Sequence, residues 1–249
     1  RTEEGRKIRR SIVAGPGAKL LAADYSQIDL RVLAHVTDDP GLLAAFERGD
    51  DVHTVTAAEV FGVSRDNVTT ELRRRAKVIV FGVAYGMSDF GLAAQLGIGR
   101  AEAKAYIEQY YLKYPRVRQY MLDIVAQCRE QGYVTTIMNR RRYIPEVHTR
   151  NRPIREAAER TAINTPIQGG SADIIKKAMV DISRHVLPRF RRSLMTLQVH
   201  DELVFEAPEE ELRALAPEVK RVMETAFTLK VPLRVELRIG PTWRDMTAL

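Results

Sequence analysis

Two rhythms of apolar and polar positions divide this chain. Leu20-Leu21-Ala22-Ala23 is a short apolar run closed by Asp24, which predicts a buried strand with a carboxylate at its C-terminal end. Ile28, Val32, Leu33 and Val36 then recur at i, i+4, i+5 and i+8, the spacing of one helix face. Pro40-Gly41 breaks that face, and from there to about residue 132 the helical rhythm prevails. Residues 101–114 place Ala103, Ile107, Tyr110 and Tyr111 on one side. Tyr106, Tyr110, Tyr111 and Tyr114 therefore read as a packed helix face, not as stacking platforms. Pro115 opens a further helix carrying Val117, Met121, Ile124, Val125 and Cys128, and Gly132 ends it.

The second rhythm follows. Residues 133–137 and 140–144 are β-rich on either side of Met138-Asn139 and predict a hairpin. Residues 155–164 predict a helix that stops at Thr165-Pro166. Gly169-Gly170 then precede Ser171 as the cap of a new helix carrying Ile174, Ile175, Met179, Ile182 and Val186. Residues 194–198 and 203–205 are β-type runs around Val199-His200-Asp201-Glu202, and 209–229 is helical. Val231, Leu233, Val235, Leu237 and Ile239 alternate with polar residues as a half-buried strand does. Strands at both ends and helices between them predict an α+β fold, a sheet interrupted by a helical insertion.

The 249 residues carry 39 Lys and Arg against 32 Asp and Glu, a formal charge of +7. That balance makes a polyanionic partner plausible. Cys128 is the one cysteine, which excludes a disulfide scaffold and a four-thiolate zinc site. No apolar run approaches the ~20 residues of a membrane helix, and residues 1–7 lack the apolar segment of a signal peptide. The first residue is Arg1, so the expectation is a fragment or a processed chain.

Candidate chemistry begins with Asp24 at a strand end and Asp201 in a hairpin turn. Two carboxylates brought together repel unless a cation lies between them, and carboxylate ligands suit Mg²⁺. Two such ions about 4 Å apart clamp the attacking and leaving oxygens of a phosphoryl transfer. Taken singly, each Asp fits better a turn residue bonded to nearby amides. Between them lies Arg73-Arg74-Arg75-Ala76-Lys77-Val78-Ile79-Val80-Phe81-Gly82-Val83-Ala84-Tyr85-Gly86. On a helix, Arg73, Lys77, Phe81 and Tyr85 form a slanted stripe, cationic at one end and aromatic at the other. A nucleoside triphosphate, with a charged tail and a flat base, matches that stripe, and Gly82 would admit a backbone or ring close by. Composition alone fits a solvated basic turn followed by a buried apolar one.

Asp24-Tyr25-Ser26-Gln27-Ile28-Asp29-Leu30-Arg31 resembles motif A of the family A DNA polymerases. The Arg73 to Gly86 segment is similar to motif B, and Gln198-Val199-His200-Asp201-Glu202-Leu203 to motif C. Asp51-Val52-His53-Thr54 and Pro166-Ile167-Gln168-Gly169 resemble further family segments, in the same order. The likeness runs almost end to end. It implies a DNA-templated DNA polymerase core of right-hand architecture, with an antiparallel palm sheet (residues 1–36 and 192–249), a helical fingers insertion (37–191) and the thumb absent. It implies nucleotidyl transfer from a dNTP to a primer 3′-OH with release of pyrophosphate. Asp24, Asp201 and the Tyr25 carbonyl would hold two Mg²⁺, replaceable by Mn²⁺, with Glu202 as a secondary carboxylate. Arg73, Lys77 and His53 would meet the triphosphate, although a lone His there also fits a surface or capping group. Phe81 would pack on the incoming nucleotide, and Tyr85 would stack near the template position. Gln27, Arg160, Asn164, Gln168 and His200 resemble positions at the primer–template or nascent pair. Arg140–Arg142 and Arg191-Arg192 are further basic clusters that could meet phosphates.

Two departures matter. The family usually has Glu where Asp29 stands, limiting room beside the sugar C2′ and pairing with the tyrosine equivalent to Tyr85. Asp29 is one methylene shorter, so ribose exclusion is expected to be looser unless the backbone compensates. Phe81 in place of Tyr implies weak use of dideoxynucleotides. The implied partners are primer–template DNA, dNTP and a thumb-containing N-terminal segment, with no membrane, in a bacterial, nucleoid-associated cytoplasmic setting. The competing readings are a non-catalytic DNA-binding remnant and a single-subunit RNA-synthesising relative.

Overall fold

The computed structural model describes residues 3–249. In chain order the elements are α1 (Glu3–Ser11), β1 (Ala18–Tyr25), α2 (Ile28–Thr37), α3 (Pro40–Glu47), α4 (Val52–Phe61), α5 (Thr70–Ala84), α6 (Asp89–Leu96), α7 (Arg100–Lys113) and α8 (Pro115–Gln131). There follow β2 (Tyr133–Thr135), β3 (Arg141–Tyr143), α9 (Arg152–His185), β4 (Leu194–Val199), β5 (Glu202–Pro208), α10 (Glu209–Glu224), β6 (Val235–Gly240) and β7 (Thr247–Ala248). The fold is α+β, as the two rhythms predict.

Packing separates the chain into two compact units. One comprises residues up to Ile28, Ser171–Thr228 and Pro232–Leu249; the other comprises Asp29–Gly170 and Leu229–Val231. Packing thus divides the chain near Ile28 and Gly170, whereas the palm and fingers segments expected from the motifs change at 36/37 and 191/192.

The first unit holds a five-stranded antiparallel sheet of order β4-β5-β1-β6-β7. β1 is its centre, paired along both edges, and Leu21, Ala22 and Ala23, which point to alternate faces, have no exposed surface, so both faces are covered. That explains an apolar run without alternation. Leu20, Ala22, Val204 and Trp243 pack together on one face. α10 packs on the sheet through Leu212, Leu215, Ala216, Val219 and Met223, an i, i+3, i+4, i+7 stripe. Tyr25 Oη donates to the Met223 carbonyl at 2.7 Å, tying the end of β1 to α10. The predicted strand from Val231 begins only at Val235; Val231 and Leu233 are buried without joining the ladder.

In the second unit the break at Pro40-Gly41 is a helix start. Pro40 occupies the first turn of α3, where its missing amide hydrogen is harmless. Asp39, fully buried, accepts from the Gly41, Leu42 and Arg116 amides at 2.9, 3.2 and 3.0 Å. One carboxylate therefore caps both α3 and the start of α8.

The expected stop at Thr165-Pro166 is wrong: α9 runs unbroken for 34 residues with Pro166 inside it. Hydroxyls satisfy the carbonyls on either side of the one that Pro166 cannot serve. Thr165 Oγ1 donates to the Thr161 carbonyl at 2.7 Å, and Tyr120 Oη to that of Ile163 at 3.4 Å. Gly169 and Gly170 are helix interior. A Cβ on Gly169 would lie 2.6 Å from Thr136 Cγ2, and one on Gly170 3.1 Å from Val32 Cγ1. Close packing, not helix breaking, is what these glycines serve. No helix among the described residues is long and apolar enough to cross a membrane.

Candidate active site

A carboxylate cluster forms at one end of the sheet. β1 delivers Asp24 one residue before its end. β4 and β5 are joined by the turn His200-Asp201, since Val199 pairs with Glu202. His200 takes a left-handed φ of 56° to make that turn. The Tyr25 amide donates to the Asp201 carbonyl at 3.1 Å, and Asp24 faces Glu202 on one neighbour and Glu236 on the other. Burial, then the charges of Asp201 and Glu202, push the Asp24 pKa up to about 6; Arg238 pulls the other way. The cluster is therefore short of positive charge.

That deficit and an all-oxygen donor set fit a hard divalent cation held by Asp24 and Asp201. Glu202 is differently employed. It is 5% exposed, and its two oxygens accept from Arg238 Nη2 at 3.1 Å and Trp243 Nε1 at 3.3 Å. Among the described residues, no three His, Cys, Asp or Glu side chains form a cation cage on their own.

A second cluster lies on α5. Thr69 caps this helix at the Leu72 amide, and Ala76, Ile79, Val80 and Val83 bury one side. The opposite side carries the predicted stripe. Lys77 Nζ stands 5.8 Å from the Phe81 ring centroid, and Phe81 and Tyr85 lie 6.0 Å apart at 33°. His53, second residue of α4, packs against Phe81 at 5.5 Å. Burial first, with Lys77 and Arg73 adding to it against Asp51, lowers the His53 pKa to about 4. The imidazole is neutral near pH 7, so cationic charge here belongs to Arg73 and Lys77. Arg73 Nε is bonded to Asp51 at 2.5 Å, while Asp51 also takes the His53 amide and the Thr54 hydroxyl.

Tyr85 Oη donates to the Asp29 carboxylate, so the shorter Asp29 still reaches the motif B tyrosine. A cleft of about 800 Å³ beside the stripe is lined by Lys77, Phe81, Tyr85, Gln95, Arg160 and Asn164 among others. Asn164 Oδ1 is buried there without a partner. Gln168 is exposed one turn further along α9. Gln27 lies between β1 and α2 with φ 54°, and His200 in the β4–β5 turn. What approaches Gly82 is neither backbone nor ring: the Met87 sulfur would lie 3.1 Å from a Cβ there. Of the other basic residues, Arg141 stacks over Tyr133 at 5.0 Å, and Arg192 pairs with Glu210. Tyr110 and Tyr114 are fully buried, as their spacing predicts, whereas Tyr106 and Tyr111 are only partly buried.

The profile of DNA polymerase family A matches residues 1–245. The chain belongs to this family. Among curated family members, DNA polymerase I of Geobacillus stearothermophilus is 53% identical over 246 residues, which is 98% of this chain and 28% of that protein. DNA polymerase I of Bacillus subtilis is 52% identical over 248 residues, again 98% and 28%. The chain thus spans little more than a quarter of these relatives. Among solved structures, the POL domain of Pol1 from M. smegmatis, in complex with DNA primer-template and dNTP, superposes with a TM-score of 0.94 at 48% identity. That match covers 98% of this chain and 43% of the other.

Sequence reasoning missed Asp51 as the partner of Arg73, and Arg238 and Trp243 as partners of Glu202. Asp51 was legible as a helix cap, since it stands before Val-His-Thr, but its pairing with Arg73, 22 positions on, was not. Arg238 was not: in an alternating strand it reads as a solvent-facing position.

Proposed function

We propose that this chain is the catalytic core of a DNA-templated DNA polymerase, with residues 1–36 and 192–249 as palm and 37–191 as fingers. The observation that carries the reading is the gathering of Asp24, Tyr25 and Asp201 at one sheet end, short of positive charge. Asp24, Asp201 and the Tyr25 carbonyl are the groups to hold two Mg²⁺. Held there, such cations would lower the pKa of the primer 3′-hydroxyl and offset charge on the departing pyrophosphate.

The remaining work falls to the chain's own residues. Arg73 and Lys77 bind the triphosphate tail by charge-assisted hydrogen bonds, and neutral His53 adds a hydrogen bond without repelling them. Phe81 packs on the sugar and base. Asp29, held by Tyr85, limits room at the sugar 2′ position. Arg160, Asn164, Gln168, Gln27 and His200 position primer–template. That a similar domain, from M. smegmatis, is solved with DNA primer-template and dNTP supports these ligand classes for the chain. The primer 3′-hydroxyl gives up its proton to solvent as its oxygen attacks the α-phosphorus, the bond to the bridging oxygen breaks, and pyrophosphate leaves with those electrons.

Primer extension with Mg²⁺ and four dNTPs tests this, run with and without the thumb-containing segment expected as partner. Extension is expected from the parent, and Asp201→Asn is expected to lose at least roughly 10³-fold in turnover while keeping most DNA affinity, which rests on phosphate contacts. DNA binding without extension in either format would indicate a non-catalytic remnant. Preference for ribonucleotides would indicate an RNA-synthesising relative.

A further inference from the structure

Arg238 is a cation already inside the carboxylate cluster. Its strand position pairs with Ala22, two residues before Asp24 on the same face of β1, a diagonal within reach of a long side chain. One nitrogen, Nη2, lies 3.1 Å from Glu202 Oε1 and 3.7 Å from Asp24 Oδ2. The second oxygen of Glu202 is taken by Trp243 Nε1 at 3.3 Å. The Trp243 ring is covered in turn by the Arg9 guanidinium, 4.1 Å from its centroid. Glu202 is 5% exposed. A buried carboxylate with both oxygens engaged by fixed donors is a poor ligand, because binding an ion there would strand an indole N–H and a guanidinium.

We propose that Arg238 is a built-in countercation for the Asp24–Asp201 pair, and that Glu202 is its anchor, not a metal ligand. A guanidinium keeps its charge at any working pH. Fixed against Asp24, it offsets carboxylate repulsion before any metal arrives, so the cluster stands assembled. It also opposes divalent cations entering the same field, and so weakens their binding. The inference rests on reading Asp24 and Asp201 as the cation-holding pair.

The test uses the 249-residue chain, with Mn²⁺ as the probe, its free fraction followed by electron paramagnetic resonance. Thermal melts in EDTA and in Mg²⁺ are the second readout. Arg238→Gln is expected to bind Mn²⁺ roughly tenfold more tightly, to melt earlier in EDTA, and to gain more from Mg²⁺ than the parent. Arg238→Lys keeps the charge and should stay near the parent. Unchanged or weaker Mn²⁺ binding in Arg238→Gln overturns the proposal, as does equal tightening in Arg238→Lys. If Arg238→Gln is unfolded in EDTA, Mg²⁺ must restore a cooperative melt; failure to do so also overturns it. Asp201→Asn separates the two levels. If that change does not weaken Mn²⁺ binding, the cation-pair reading has failed; if it does and Arg238→Gln has no effect, only the countercation has.

Discussion

Asp29 shows how a one-methylene difference is absorbed. The shorter carboxylate still receives the Tyr85 hydroxyl, so the pair is kept and the difference is confined to the space beside it. Asp29→Glu is expected to tighten exclusion of ribonucleotides; unchanged ribo-to-deoxy incorporation ratios would mean that the backbone already compensates. Phe81→Tyr is expected to raise dideoxynucleotide use, read by chain-termination frequency, because the added hydroxyl replaces a missing 3′-OH contact. His53 carries a pH signature. Its pKa falls from 6.5 to about 4 on folding, so the unfolded chain takes up the proton first as pH drops. Its contribution to stability is complete above pH 6.5 and is lost on the way down to 4. Urea melts at pH 7 and pH 5 should show a smaller loss in His53→Gln than in the parent. The placement of Asp24 at a strand end and of Lys77, Phe81 and Tyr85 along one side of α5 was legible from residue type and spacing. The spacing of α5 alone fitted a plain amphipathic helix equally well, because a stripe of Arg, Lys, Phe and Tyr has the same period whether it meets solvent or ligand.

Among elements, α9 is where local rules mislead. Pro166, Gly169 and Gly170 each disfavour a helix when taken alone, and together they read as a stop. Tertiary packing overrides them: the glycines are the price of letting the hairpin residue Thr136 and the α2 residue Val32 approach the helix backbone. Gly169→Ala should therefore destabilise by about 1–3 kcal/mol through overpacking, despite the better helix propensity of Ala. Thr136→Ser removes the offending Cγ2 and keeps the hydroxyl that accepts from the Met138 and Arg140 amides. The double variant should regain most of the loss, and additivity in denaturant melts would refute the close approach as its cause. β1, α2, α7 and α8 were legible because each has one dominant burial environment. The late start of β6 was not, because Val231 and Leu233 are buried outside the ladder, and burial period alone cannot distinguish the two.

For the molecule as a whole, function and stability pull apart at the sheet end. A carboxylate whose pKa is raised to about 6 costs stability once ionised, so Asp24→Asn in EDTA at pH 7 should melt a few degrees higher than the parent, on the scale of about 1 kcal/mol. A lower melting temperature would mean that Arg238 overcompensates the repulsion. The broad α+β plan was readable from strands at both ends and helices between. The division of the chain near Gly170 was not, because it falls inside an unbroken helix with no change of composition. One further property follows from Trp243. It is the single tryptophan of the chain, its ring nitrogen is bonded to Glu202, and its face is stacked beneath Arg9. If the Asp24–Asp201 pair takes up a divalent cation, the emission of this indole is expected to respond through Glu202, giving an optical gauge that needs no label.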